Sequence, residues 1–249
     1  MEKKQKIILV LAGMLLGLNF VCWREVFVLN QKQELQVEFL NVGQGDSELI
    51  ITPGGNKILI DGGANSTVLG KLAGNMPFWD RTVDVIIMTH PESDHMTGLL
   101  DVLQKYNVKY FLWTGVVKND AENKKLAQLL NNAKKKRSDF LASIQGFENT
   151  KVVYVKAGEI IKSGNVKVDI LYPFEDYAGK TVTNTSNDTC VVAKLEYGKN
   201  SFLFTGDIDS KAEKELVDSG ENIKSNVLKV AHHGSKYSSS GKNTLKLLV

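Results

Sequence analysis

Two cysteines, Cys22 and Cys190, are all the chain has. One lies in an apolar run near the N-terminus and the other far downstream, which excludes a disulfide framework and a thiol-rich zinc pattern. Any metal must therefore be held by histidine and carboxylate side chains. Net charge is also scarce, since 31 Lys and Arg against 28 Asp and Glu leave only +3. That balance gives no global electrostatic footprint for nucleic acid, although it leaves a local one open. Repeats of fixed period and low-complexity linkers are absent as well.

What is present is globular composition, 43% hydrophobic and 24% charged over 249 residues, enough for one large domain with a substantial core. The N-terminus differs. MEKKQK places Lys3, Lys4 and Lys6 ahead of IILVLAGMLLGLNFVCW (7–23), apolar apart from Asn19. This run sits at the short end for a membrane span, so a span and a signal h-region compete. No A-x-A-like cleavage site separates it from the strand pattern near Leu35. Residues 1–30 are therefore expected to be a retained single-pass anchor, with a cleaved signal and a secreted protein as the alternative. With the lysines inside, the rest of the chain lies on the extracytoplasmic side of the cell membrane.

From Leu35, ELQVEFLNVGQGDSELIITPGGNKILIDGG reads as a β-meander, with Leu35, Val37 and Phe39 alternating with polar residues. GQGD and PGG read as turns. VDVIIMTH is a continuous apolar strand, the kind covered on both faces. HMTGLLDVLQKY predicts a helix, and FLWTGVV a further strand. AENKKLAQLLNNAKKKRSDFLASI carries Leu126, Leu129, Leu130, Ala133, Phe140, Leu141 and Ile144 at helical spacing, one amphipathic helix or a pair. Its basic face, seven Lys or Arg within 118–139 by count, reads as a solvated face before it reads as a DNA patch. The C-terminal half returns to strands at KVVYVKAGEII, NVKVDILYP, CVVAKLEYG, KNSFLFTGD and NVLKVAHHG, broken by helical SDFLASI and KAEKELVDSG. The pattern is one α/β domain over 34–249, behind the anchor.

Four strands end in a potential ligand or its support: NKILI at Asp61, VDVIIMT at His90, SFLFTG at Asp207 and NVLKVA at His232. Carboxyl ends of strands line the ligand crevice in sheets flanked by helices. Histidine gives nitrogen and carboxylate gives oxygen to zinc-like ions, and an Asp can bridge two of them. Such a pair lowers the pKa of a shared water and clamps both oxygens of a displacement at phosphorus. In HPESDH the strand presents His90, and the next helix presents Asp94 and His95 at its N-terminus. Taken singly, Asp94 also suits a helix N-cap and Asp61 a turn. Cys190, on an apolar strand, reads as core.

Together FLNVGQGDSELI, ILIDGG, THPESDHMTGLL, FLFTGDI and VAHHGS resemble the motif series of the metallo-β-lactamase superfamily, in particular the metallo-β-lactamase-like domain of ComEC-type DNA-uptake proteins. The resemblance runs in order from about residue 35 to the end. It implies a four-layer αβ/βα sandwich with two divalent ions, Zn2+ or Mn2+, at the shared edge of its sheets. By motif, His90 and Glu92 would hold the first ion, and Asp94, His95 and His232 the second, with Asp207 bridging. His233 is the alternative to His232, and Asp61 would orient ligands from behind. Asn187, Asp188 and Cys190 fall near the site in NTSNDTC. Glu92 replaces the histidine common at that position, and the superfamily's separate histidine before TGD has no counterpart. A first position poor in nitrogen leans toward manganese over tight zinc. The family pattern also continues past HHGS, so the domain is expected to be incomplete at its C-terminus. A single anchor does not suggest the channel itself.

The resemblance implies a membrane-anchored hydrolase of phosphodiesters, a DNA nuclease on single strands or duplex, linked to competence and the DNA-uptake machinery, with Asp94 or Asp207 accepting a proton. The alternatives are an ester, lactone or amide hydrolase on the same metals, and an inactive metal- or DNA-binding module at the membrane.

Overall fold

A computed structural model of the chain describes residues 3–29, 34–134, 150–182 and 187–235. The chain divides into two compact units, Met1–Glu34 and Leu35–Val249. The described residues of the first form a helix, α1 (Lys3–Leu29). Its segment Lys3–Arg24 is long and apolar enough to cross a membrane by length and composition. At about 1.5 Å per residue that segment spans about 33 Å. Asn19, the polar interruption, donates its side-chain amide to the Leu15 carbonyl at 3.0 Å, which satisfies it within the helix.

The second unit holds two sheets. Strands β1 (Gln36–Phe39), β2 (Glu48–Ile51), β3 (Lys57–Ile60), β4 (Thr82–Ile87), β5 (Asn107–Trp113) and β6 (Lys151–Tyr154) pair in sequence order. The second sheet runs β11 (Val227–Lys229), β10 (Asn200–Phe204), β9 (Val192–Tyr197), β8 (Val166–Tyr172), β7 (Ile160–Ser163). β1 to β3 form the expected meander, and β3 to β6 are parallel. In the second sheet only β10 and β11 are parallel.

Helices α2 (Thr67–Asn75), α3 (Ser93–Lys105) and α4 (Ala121–Lys134) cover the first sheet, and α5 (Ser210–Asp218) covers the second. Three apolar layers separate these elements. Leu49, Leu59, Val83, Ile86 and Phe111 meet Val68, Leu72, Leu99, Leu103, Leu126 and Leu130 of the helices. Ile50, Ile58, Ile60, Ile87 and Leu112 meet Val168, Ile170, Ala193, Leu195 and Phe204 between the sheets. Leu203 and Val192 meet Ala212 and Leu216 of α5. Successive side chains of a strand point to opposite faces, so a strand covered on both is apolar where it is covered, as Val85, Ile86, Ile87 and Met88 are beyond the Lys-paired Asp84. The result is the expected four-layer αβ/βα sandwich, here with one described helix on the outer face of the second sheet.

Some expectations need adjustment. α2 has no counterpart in the sequence reading, because it spans nine residues, includes Gly70 and Gly74, and buries only Val68 and Leu72. α3 begins at Ser93, two residues before the predicted start, which makes Glu92 rather than Asp94 its N-cap residue. The strand predicted for FLWTGVV ends at Trp113. Leu126 and Leu130 of the predicted amphipathic helix are buried as expected, whereas Phe140, Leu141, Ile144, the basic run 135–137 and the helical SDFLASI lie outside the described residues. Cys190 is fully buried among apolar side chains, and Cys22 is free as well.

Candidate metal centre

In each sheet a parallel strand pair delivers its C-terminal ends to the same place. β3 gives way to Asp61 and β4 to His90, while β10 is followed by Asp207 and β11 by His232 and His233. Three non-glycine residues of the described chain have positive φ: Asp61 at 54°, His232 at 49° and His233 at 53°. Such conformations cost roughly 1–3 kcal/mol each and persist where surrounding contacts over-determine them. All three belong to this site.

Asp61 is 1% exposed and is the hub. One carboxylate oxygen accepts the Thr89 backbone N–H at 2.8 Å. The other accepts the Thr89 hydroxyl at 2.6 Å and faces His95 Nδ1 at 2.7 Å. The Thr89 hydroxyl has one proton, already given to Asp61, so toward His90 Nδ1 at 2.9 Å it accepts. His90 therefore carries its proton on Nδ1. By the same logic His95 Nδ1–H donates to Asp61. His90 is left with an Nε2 lone pair. For His95, burial disfavours the charged ring, but Asp61 and Asp207 outweigh it and raise its pKa well above the ordinary value. Both Nε2 atoms are buried without a hydrogen-bond partner. Buried polar atoms rarely stay unsatisfied without a reason, and carboxylate–histidine support of this kind is how metal-binding imidazoles are oriented.

Asp207 Oδ2 is the atom the other side chains surround: His95 Nε2 lies at 3.3 Å, His233 Nε2 at 3.5 Å and His232 Nε2 at 3.9 Å. Asp46, His95, Asp207 and His233 place one donor atom each within 4.8 Å of one another. His90 stands beside this group, its ring 4.3 Å from that of His95. Asp94, in the first turn of α3, lies 3.5 Å from His233 Nε2. All four histidines of the chain are thus gathered here.

Two of the other expected residues stand further out. Glu92 is engaged by Lys118, whose ammonium reaches both carboxylate oxygens at 2.8 Å. The Asn187 amide lies 3.4 Å from His232 Nδ1. Between the two candidate histidines of HHGS, the structure puts His233 in the compact group and His232 at its edge.

Asp46 and Lys229 were not singled out in the sequence. GQGD reads as turn punctuation, yet the loop is packed on α3 so closely that a Cβ at Gly45 would meet the Asp94 carbonyl oxygen at 1.7 Å. Only glycine permits that approach, and the approach carries Asp46 into the site. Lys229 pairs with Asp46, stands 3.5 Å from Asp207, and donates to the Gly206 carbonyl at 2.8 Å. The signal for Asp46 was available in the FLNVGQGDSELI motif. Lys229, on a three-residue strand, had none.

The electrostatics suit a cation. Burial, then the neighbouring His95, pushes the His90 imidazole well below its ordinary pKa and keeps it neutral. Burial works against ionised Asp207, but His95, Lys229 and His90 outweigh it and hold its carboxyl below the usual range. Burial would likewise lower Lys229, yet Asp46, Asp207 and Glu48 raise it. Glu48, buried behind them, is pushed by desolvation up to about 8. Nitrogen and carboxylate donors in this mixture match zinc or manganese, so the residues present fit divalent metal.

No family model matches the chain. Among curated proteins it is 27% identical over 222 residues to ComE operon protein 3 of Bacillus subtilis, covering 82% of this chain and 26% of that protein. It is 30% identical over 231 residues to Recombination protein 2 of Haemophilus influenzae, covering 90% of this chain and 24% of that protein. The chain thus spans about a quarter of the length of the curated relatives it matches. Among solved structures, the MIM-2 metallo-β-lactamase superposes with a TM-score of 0.50 at 11% identity, covering 85% of this chain and 82% of that one. The chain has the metallo-β-lactamase fold, and its sequence is similar to those of ComEC-like competence proteins.

Proposed function

We propose that the domain is a metal-dependent hydrolase of phosphodiester bonds in DNA, anchored by α1 on the extracytoplasmic side of the membrane. The observation that carries the metal chemistry is the pair of adjacent buried imidazoles, His90 and His95, whose Nε2 atoms lack hydrogen-bond partners, that of His95 lying 3.3 Å from an Asp207 carboxylate oxygen. The substrate class is supported by the relatives, one of which is named a recombination protein.

His90, His95, His233, Asp46 and Asp207, with Asp94 and His232 at the rim, would hold two divalent ions. When bound, such ions supply a Lewis acid for a phosphoryl oxygen and lower the pKa of an attacking water. The chain's own residues do the rest. Asp61 and Thr89 fix the tautomer and direction of both buried imidazoles. Asp207, kept ionised by its cationic neighbours, serves as a ligand. Asp94, with a side chain 22% exposed and near His233, is placed to take the proton of the attacking water. Lys229 offsets the crowded carboxylates and helps a polyanionic substrate approach.

The test is cleavage of single-stranded and duplex DNA by the purified full chain with manganese or zinc, beside the Asp207→Asn variant. Cleavage by the wild type and its loss in the variant are expected; equal activity would sink the mechanism. Turnover of chromogenic esters or lactams in place of DNA, with the same dependence on Asp207, would reassign the substrate. Fewer than about 0.2 ions per chain after purification with both metals would leave a binding module.

A further inference from the structure

At the far end of the first sheet from the metal centre, the chain exposes two large aromatic side chains side by side. Phe78 is 82% exposed and Trp79 63% exposed, with rings edge to face at 4.8 Å and 83°. They sit in the connection from α2 to β4, and that connection is built rather than loose. Met76 plugs it into the core at 6% exposure, and the Asp80 N–H closes a turn on the Pro77 carbonyl at 2.9 Å. The Asp80 carboxylate accepts the Thr82 N–H at 2.9 Å and pairs with Lys57 at 2.5 Å. A fixed turn thus holds two aromatic rings in water, a costly arrangement for a loop with no partner.

Sheet register places that turn relative to the point where the chain enters the domain. β1 runs antiparallel to β2 with Gln36 opposite Ile51, and β2 antiparallel to β3 with Ile51 opposite Lys57. β3 and β4 are parallel. Gln36, Lys57 and Thr82 therefore share one end of the sheet, and Asp61 and His90 lie at the other. The chain arriving from the apolar helix enters the domain at the same end as Phe78 and Trp79. Exposed Arg81, Lys105 and Lys151 surround that end, Arg81 stacking on Tyr106 at 5.5 Å and Lys151 on Tyr110 at 5.3 Å. Of the acids at that end, Asp80 and Asp84 are paired with Lys57 and Lys109, which leaves Glu34 exposed against the three cations. Exposed aromatic residues at the same end of the sheet as exposed Lys and Arg suit a surface that inserts at the headgroup level of an anionic bilayer.

We propose that the Pro77–Trp79 turn is a lipid-docking tip that seats the domain on an anionic membrane surface. Docked in this way, the metal centre faces away from the bilayer, about 20 Å along β4 at about 3.3 Å per residue. The proposal rests on the reading of α1 as an anchor, and the experiment separates the two.

The full chain carrying Trp23→Phe and Trp113→Phe, which leaves Trp79 as its single tryptophan, is reconstituted in phosphatidylglycerol–phosphatidylcholine vesicles with or without bromine on the acyl chains. Trp79 emission is expected to shift to the blue and to fall about twofold in brominated vesicles, as it would for a ring seated at the headgroup–acyl boundary. Should the double variant misfold, the difference in quenching between wild type and Trp79→Ser gives the same reading. Resistance to alkaline carbonate extraction, measured in parallel, reports on α1. Resistant protein with an unquenched, acrylamide-accessible Trp79 overturns the docking tip and leaves the anchor standing. Extractable protein whose Trp79 is still quenched upholds the tip and removes the anchor. Quenching by a single-stranded oligonucleotide and not by bromolipid overturns the tip in favour of a base-stacking surface.

Discussion

The two halves of the metal centre are built differently. The half from the first sheet, Asp61, His90 and His95, is at most 1% exposed and locked by hydrogen bonds through Thr89. The half from the second sheet places His232 and His233 on a left-handed turn with side chains 39% and 37% exposed. Asp207 joins them, since imidazoles from both sides approach the same carboxylate oxygen. The buried half is pre-organised and, in the proposed centre, would fix where a cation sits. The exposed half would complete the coordination and is open to what arrives from solvent.

If this division is right, the two halves separate under mutation. The largest effect is expected for Asp61→Ala, which leaves His95 Nδ1 and Thr89 unpaired in the interior. A loss of about 3–5 kcal/mol of stability is expected, read by denaturant unfolding, together with weaker metal binding. A loss under about 1 kcal/mol would mean that the buried network is not structural. His233→Ala is expected to do the reverse, weakening metal binding by calorimetry while changing stability by no more than about 0.5 kcal/mol, as for an exposed position. Equal losses of stability in both variants would erase the contrast.

The smallest effect sharpens the comparison from outside the site. Asp120 accepts the Asn123 N–H at 2.8 Å at the start of α4, so Asp120→Ala is expected to cost about 1 kcal/mol and leave metal binding unchanged. Slight burial raises the Asp120 pKa, but the Asn123 donors and Lys118 outweigh it and lower it below the ordinary value. A carboxyl with a depressed folded-state pKa stabilises above its unfolded value and loses that contribution as pH falls through the folded one. The variant and the wild type should therefore converge in stability at acid pH, below the ordinary aspartate range, and differ above it.

Much of this was legible because strand ends and apolar periodicity are local. VDVIIM announces a strand covered on both faces, and both faces are indeed packed. Asp61, His90, Asp207 and the HHGS histidines stand just beyond strands that the sequence marks. α2 escaped because a nine-residue helix with two glycines and two buried positions has almost no periodic signal. Asp46 was read as part of a turn because its role depends on Gly45 touching Asp94, a partner far along the chain that local spacing does not reveal. Glu92, a ligand by motif position, has both oxygens in contact with Lys118, a neighbour distant in sequence that local spacing does not announce.

The sequence by itself determined the elements, their apolar faces and the residue types available to hold a cation, because each follows from neighbours a few positions apart. Tertiary structure alone decided which histidine of HHGS enters the compact group, that Asp46 and Lys229 join it, and that the aromatic turn shares an end of the sheet with the chain's entry. Those outcomes depend on sheet register, left-handed backbone at His232 and His233, and close approach at a single glycine. None of these is written in local spacing.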